Sequence, residues 1–302
     1  MPERLNTGVG CSVGDALDAA ATTLTRAGVP DPVREARTLW AALADGGVTQ
    51  GDVWLARERE ATPGTVARFR EAVARRAAGE PFAYAVGQAE FRTLVLKSDR
   101  RALIPRPETE GLVDLVLRAL GPAGRDPGTG GGVAADVGTG CGCVALALAV
   151  EGPFERVIAV ERSPTAAALA RENVARVRPR VPVEVREGDW LGPLAGERCR
   201  VLVANPPYLT EAEYQRLDPA VRRFEPRAAL VSGPDGLDAT RALVAQAPSV
   251  LAPGGLLALE VDERRAASVC EFARPPEWAR VTVHEDVFGR PRYVLALREE
   301  VA

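Results

Sequence analysis

Two short segments carry residue types and spacings suited to chemistry. The first is Asp136-Val137-Gly138-Thr139-Gly140-Cys141-Gly142-Cys143, placed where a strand-like apolar run, 133–137, passes into a helix-like one, 143–150. Glycines at 138, 140 and 142 let the backbone turn sharply and approach a ligand closely. A helix beginning there offers free N–H groups. The second segment is Asn205-Pro206-Pro207-Tyr208, directly after the apolar run 201–204. Two consecutive prolines remove two backbone donors and stiffen the turn. The carbonyls of Asn205 and Pro206, with the Asn205 side chain, then become fixed acceptors, and Tyr208 can lie flat against a planar group. That arrangement suits a planar –NH2, such as a carboxamide or an adenine amine, with its two hydrogens held and its lone pair left to face an electrophile. Such a nitrogen is a weak nucleophile because its lone pair is conjugated. Binding that favours a more pyramidal nitrogen stabilises the transition state preferentially, and in-line placement supplies the rest.

Two further positions fit a nucleoside. The strand-like run 157–161 ends in Glu161, and a carboxylate at such a strand end can accept both hydroxyls of a ribose. Gly188-Asp189-Trp190 follows the next strand, where Asp189 and Trp190 suit the edge and face of an adenine; Trp190 suits core packing equally. A dinucleotide fingerprint is not met, because Cys143 occupies its third glycine position. The acidic-x-Gly-x-Gly-x-Gly pattern instead resembles the first motif of class I S-adenosylmethionine-dependent methyltransferases. That resemblance gives Asp136 the role of orienting the loop and the amino-acid end of the cofactor, and makes the electrophile a methyl donor.

The elements around these motifs follow from periodicity. Up to about residue 80 the chain reads as helical. Ser12 and Asp15 form a capping-box pattern, with Asp standing in for Glu, ahead of Val13, Leu17, Ala20, Ala21 and Leu24 at helical spacing. Residues 34–44 and 65–78 read as further helices, the last ending at Gly79. Period-two patterning around Phe91, Leu94 and Leu96 predicts a short hairpin, and a helix follows over about 109–120. The Gly/Pro-rich stretch 121–132 reads as a hinge. From Val133 strands and helices alternate: strands at 133–137, 157–161, 183–186, 201–204, 256–261, 281–283 and 293–297, with helices at 143–150, 164–177 and 237–251. Repeated β-α units imply a mainly parallel sheet covered by helices on both faces, with ligands beyond the C-terminal strand ends. The expected organisation is therefore a helical domain at 1–80, a linker with hairpin and helix at 81–132, and an α/β catalytic domain at 133–302.

Composition excludes several chemistries. Among 302 residues, 46% are hydrophobic and 26% charged, the balance of a globular protein. The sole histidine is His284, so a two-histidine metal site within the chain is impossible; a late-strand position far in sequence from Asn205 assigns it to structure. The cysteines, Cys11, Cys141, Cys143, Cys199 and Cys270, are odd in number and scattered, which suits free thiols in a reducing compartment rather than a disulfide framework or a zinc site. No metal is expected. With 38 basic against 41 acidic residues, no part of the chain is a basic nucleic-acid module. The residues around Glu3, Arg4 and Asn6 lack an apolar signal-peptide run, and no uninterrupted apolar stretch of about 18 residues suggests a membrane span. The expectation is a cytoplasmic, monomeric protein.

Taken with its neighbours, the Asn-Pro-Pro-Tyr segment makes the chain resemble the HemK/PrmC family, the N(5)-glutamine methyltransferases of peptide-chain release factors. The resemblance spans nearly the whole chain. It rests on Arg75-Arg76-x-x-Gly79-Glu80-Pro81, Gly87-x-x-Glu90-Phe91, Leu103-Ile104-Pro105-Arg106-Pro107-Glu108-Thr109-Glu110, the loop 138–142, Asn205 to Tyr208, Phe224-Glu225-Pro226-Arg227-x-Ala229-Leu230 and Asp235-Gly236-Leu237. Asn-Pro-Pro-Tyr is shared with adenine methyltransferases; the Ile-Pro-Arg-Pro-Glu-Thr-Glu and Phe-Glu-Pro segments are far more specific. The resemblance implies a Rossmann-like, seven-stranded, mainly parallel catalytic domain behind a small helical domain that helps hold the release factor. It implies S-adenosyl-L-methionine bound by Asp136, Gly138, Thr139, Gly140, Cys141, Gly142, Glu161, Asp189, Trp190 and Asn205. The acceptor would be the glutamine of a Gly-Gly-Gln loop in a class I release factor, with Asn205, Pro206 and Tyr208 catalytic, and Pro207, Arg106 and Glu108 also on the substrate side. Two departures stand out: Glu161 where the family usually has Asp, a mild change, and Glu260-Val261-Asp262 where many members read Glu-x-Gly.

Two other readings remain at this level. An adenine or other nucleic-acid amine, or a different protein glutamine, uses the same chemistry; the even charge disfavours nucleic acid, although Arg222, Arg223 and Arg227 form a local basic group. A non-catalytic scaffold has no use for intact Asp136, Glu161 and Asn205.

Overall fold

A computed structural model describes residues 11–44, 48–121 and 131–300. The chain divides into two compact units, Met1–Gly87 and Gln88–Ala302. Most of the hinge expected at 121–132, and the N-terminal residues Glu3, Arg4 and Asn6, lie outside the described residues.

In the first unit, apolar residues at helical spacing become the inner faces of α1 (Val13–Arg26), α2 (Pro32–Leu43) and α4 (Pro63–Ala77). Ser12 caps α1: its Oγ accepts from the Asp15 N–H at 3.0 Å while the Asp15 carboxylate accepts from the Ser12 N–H at 3.2 Å. Leu17, Leu24, Leu39 and Phe69 are buried together, and Trp40 meets Phe69 edge-on at 4.8 Å between ring centroids. Two short helices, α3 (Gln50–Leu55) and α5 (Phe82–Val86), were not foreseen; neither is long enough to show a helical period.

The second unit opens with the expected antiparallel hairpin, β1 (Gln88–Phe91) and β2 (Leu94–Lys97), and then α6 (Pro107–Ala119). Read from sequence as a connector, these elements contribute Phe91, Leu94, Leu96, Leu112, Val113 and Val116 to the catalytic unit's own core. The sheet follows with α7 and α8 between its first strands: β3 (Val133–Val137), α7 (Cys143–Glu151), β4 (Arg156–Glu161), α8 (Pro164–Val177), β5 (Val183–Glu187) and β6 (Cys199–Ala204). Then come α9 (Glu211–Tyr214), α10 (Pro219–Phe224), α11 (Asp238–Gln246), β7 (Leu251–Glu260), α12 (Ala266–Phe272), β8 (Trp278–Glu285) and β9 (Pro291–Arg298). Strand order is β5-β4-β3-β6-β7-β9-β8. The first five strands are parallel and β9 runs antiparallel to both its neighbours.

Strand alternation divides the core in two. Ala134, Val157, Val201 and Ala258 face α6, α7 and α8, whereas Ala135, Ile158, Leu202 and Leu257 face α11 and α12. The helix expected at 237–251 stops at Gln246, and a 3₁₀ turn at Ala247–Ser249 accommodates Pro248. Strand β7 consequently begins at Leu251, five residues before the expected start, with a register irregularity around Pro253-Gly254-Gly255. His284 lies on β8 at the sheet edge, its Nε2 2.9 Å from Thr282 Oγ1.

Candidate active site

Sheet register brings the two chemical motifs together. Val137 pairs with Ala204 across β3 and β6, so Gly138 and Asn205 leave the sheet side by side. Chain order reverses between these two strands, which is where a doubly wound sheet opens a crevice. Val160 pairs with Val137 and Leu259 with Ala204, so Glu161 and Glu260 emerge at the same edge. A cavity of about 390 Å³ occupies the crevice.

The glycine loop is built around Asp136, which is 2% exposed. Its Oδ2 accepts from Thr139 Oγ1 at 2.6 Å and from the Ala145 N–H at 3.0 Å. Burial pushes the Asp136 carboxyl up to about 6, against these two hydrogen bonds; the nearby Glu161 charge adds to the rise. Gly138, Gly140 and Gly142 all hold positive φ, at 76°, 57° and 89°, a path that side chains with a Cβ resist. A Cβ on Gly138 would meet only open space, so its absence there serves the backbone path, not a close neighbour. Glu161 braces the same loop: Oε2 accepts from the Gly140 N–H at 2.9 Å and Oε1 from the Ser163 N–H at 2.8 Å. The longer Glu at this position therefore reaches across to the loop from the next strand. Asp189 is exposed and 3.8 Å from Arg162, whereas Trp190 lines the cavity, packs partly on the core and holds a left-handed φ of 44°.

Asn205 is tied inward. Its Nδ2 donates to Thr109 Oγ1 at 3.0 Å, and Thr109 Oγ1 donates to Glu260 Oε2 at 2.7 Å. Burial pushes the Glu260 carboxyl up to about 7; its bond from Thr109, the Arg292 charge and a hydrogen bond from Asn205 oppose the rise, and the Glu108 charge adds to it. The turn after Asn205 is held from below. The N–H groups of Tyr208 and Leu209 donate to the Leu230 carbonyl at 3.2 and 2.8 Å, and the Ser232 N–H donates to the Leu209 carbonyl at 2.9 Å. Burial, chiefly, pushes the Tyr208 phenol up to about 12, with the Glu260 charge adding to it. The two most specific sequence segments also converge: Glu225 accepts from the Ile104 N–H at 3.1 Å and from Arg106 Nη2 at 2.6 Å.

Asp262, standing where a glycine was expected, is partnered by Arg264 at 2.7 Å and Arg265 at 3.2 Å. Arg265 reaches Glu213 at 2.7 Å and donates to the Asp235 carbonyl at 2.7 Å. The substitution thus ties the end of β7 to the segment that follows Asn-Pro-Pro-Tyr.

Comparison with known proteins decides what this crevice belongs to. Residues 15–87 match the PrmC N-terminal domain and residues 117–229 the methyltransferase small domain. The chain is 41% identical to a release factor glutamine methyltransferase of Moorella thermoacetica, covering 94% of this chain and 98% of that protein. It is 40% identical to one of Deinococcus radiodurans, with the same coverage of both. The chain belongs to the release factor glutamine methyltransferase family. Among solved structures, the hMettl16 catalytic domain superposes with a TM-score of 0.53 at 15% identity, over 80% of this chain and 83% of that one. A methyltransferase from Pyrococcus furiosus gives 0.50 at 18% identity, over 80% of this chain and all of that one; both likenesses concern the fold.

The cofactor of this release factor glutamine methyltransferase family member is S-adenosylmethionine, and the cavity suits it: an open glycine turn, a carboxylate at the next strand end and an aromatic beyond it line one continuous space. Of the residues expected at the site, Asp136, Gly138, Thr139, Gly140, Cys141, Glu161, Asp189, Trp190, Asn205, Pro206, Pro207 and Arg106 line the cavity. Gly142, Tyr208 and Glu108 are not among the lining residues. Gly142 caps α7 behind the loop, and the Glu108 carbonyl accepts from the Tyr293 hydroxyl at 2.6 Å. Thr109 lines the cavity and was overlooked as a functional residue, as was Glu260 behind it. Thr109 was visible only as a motif letter, because the pairing that matters spans 96 residues to Asn205. Among the described residues no cluster suited to a metal exists, all five cysteines are free and no helix is long and apolar enough to cross a membrane.

Proposed function

We propose that the enzyme methylates the side-chain amide nitrogen of the glutamine in the Gly-Gly-Gln motif of a class I release factor. The observation that carries this is the adjacency of Asn205 to the glycine loop across paired strands, inside a family of that activity. Asp136 and Thr139 shape the loop for the cofactor's amino-acid end, Glu161 takes its ribose and Trp190 its adenine. When bound, the cofactor supplies an electrophilic methyl group on a sulfonium. Asn205 and the Pro206 carbonyl accept the two amide hydrogens and turn the nitrogen lone pair toward that methyl. Because neither proline has an N–H to offer, the two prolines set no donor against the substrate –NH2, which brings two. Arg106 borders the glutamine side, while Tyr208, off the cavity lining, backs the turn. No histidine is required: once methylated, the protonated amide nitrogen is strongly acidic and releases its proton to water. A translation factor as substrate supports a cytoplasmic location.

The testing assay uses methyl-labelled S-adenosylmethionine with purified release factor and, separately, with DNA and RNA. Label is expected in the release factor, and Asn205→Ala is expected to lose transfer by a factor on the order of a hundred. Label in nucleic acid and none in the release factor overturns the proposal.

A further inference from the structure

We propose that Thr109 and Glu260 form a positioning pair that sets which end of the Asn205 amide meets the substrate. The inference rests on Asn205 as an amide-binding residue, and goes beyond it by naming what orients that residue. A threonine hydroxyl has one hydrogen. At 2.7 Å from Glu260 Oε2, and facing a carboxylate with no hydrogen to give, Thr109 must spend that hydrogen on Glu260. Toward Asn205, 3.0 Å away, Thr109 is then able only to accept. The nitrogen arm of the Asn205 amide is therefore fixed inward, and the oxygen arm is left for the cavity that Asn205 lines. That oxygen is the arm a substrate –NH2 needs.

The pair is sealed: Thr109 is 3% and Glu260 1% exposed, so water does not readily replace either partner. Thr109 sits in the first turn of α6, Glu260 at the last residue of β7 and Asn205 just past β6, so three elements fix one amide. The charged and titratable groups facing Glu260 are Glu108 from α6, Arg292 and Tyr293 from β9, and Tyr208 from the turn. Were Glu260 protonated, its O–H would donate to Thr109. Thr109 would then direct its own hydrogen at Asn205, which answers by turning its oxygen inward. The cavity would be shown an N–H, a donor facing a donor. Burial raises Glu260 to about 7, so this reversal falls near neutral pH.

The experiment measures methyl transfer to release factor at saturating cofactor, first with the wild type; absence of transfer there defeats the proposed function and not this pair. Thr109→Val, isosteric but without a hydroxyl, is expected to lower kcat about 10- to 100-fold. Its KM for S-adenosylmethionine should be unchanged, and Thr109→Ser should restore most of the loss. In an Asn205→Ala background, Thr109→Val should have no further effect. The wild-type kcat should fall as the pH drops below about 7, and Glu260→Gln, which keeps an acceptor oxygen but cannot ionise, should flatten that limb. Full kcat in Thr109→Val, an equal loss in the Asn205→Ala background, or an acid limb that persists in Glu260→Gln each overturns the proposal.

Discussion

Asp136 and Glu260 are both carboxyls withdrawn from water, and both are held above the ordinary carboxylate range. Their partners differ. Asp136 is satisfied locally by Thr139 and Ala145, so Asp136→Ala removes the acceptor for two buried donors and slackens the glycine loop. S-adenosylmethionine affinity, read by calorimetry, is expected to fall at least about tenfold, an unpaired buried donor costing about 1–3 kcal/mol. Glu260 gives a stability prediction with a definite sign. Its folded value of about 7 lies above the ordinary 4.5, so folding disfavours its charged form. The stability tied to the neutral carboxyl is complete below 4.5 and is lost as pH rises through about 7. Glu260→Gln stays neutral, so its stability relative to wild type should rise between about pH 5 and pH 8, by at most about 3 kcal/mol. Urea unfolding at the two pH values checks this; a constant difference contradicts it. Asp136 was legible because its partners lie within nine residues of it, whereas Thr109 and Glu260 are 151 residues apart.

The Asn-Pro-Pro-Tyr turn is rigid through the elements around it as well as its prolines. Gly236 is a clear case: at φ 77°, an added Cβ would stand 2.3 Å from the Tyr208 carbonyl oxygen and 2.6 Å from Arg265 Nε. Gly236→Ala is expected to destabilise the fold by about 2 kcal/mol or more and to lower methyl transfer, the first read by thermal unfolding and the second by label incorporation. Long periodic elements were readable: the helices α1, α7 and α8 and the parallel strands other than β7 appear close to where the spacing put them. The short helices α9 and α10 were missed because four to six residues carry too little periodicity, and the start of β7 was missed because Pro253-Gly254-Gly255 reads as a turn although it lies inside a strand. Asp262 was visible as a departure from Glu-x-Gly, but its consequence depends on Arg265 and Glu213 folding toward it.

For the whole molecule, the order of strands is what makes separate motifs one site. Residues near 138, 161, 205 and 260 are scattered through the sequence, and a parallel sheet with its reversal between β3 and β6 gathers them at one edge. β-α alternation implied the parallel sheet and a site beyond its C-terminal strand ends, but neither the place of the reversal nor Glu260, because strand order is set by long-range packing. The helical unit at the front was also legible, since capped amphipathic stretches with glycine and proline stops need no long-range information. The central claim, that the gathered acceptors act on a release-factor glutamine, is tested most directly by peptide mapping. Purified release factor is incubated with the enzyme and S-adenosylmethionine, digested and sequenced by mass spectrometry. One methyl group on the side-chain amide of the Gly-Gly-Gln glutamine, reduced on the order of a hundredfold with Asn205→Ala, is the predicted result. An unmodified glutamine there, or methylation at some other residue of the factor, would contradict the account.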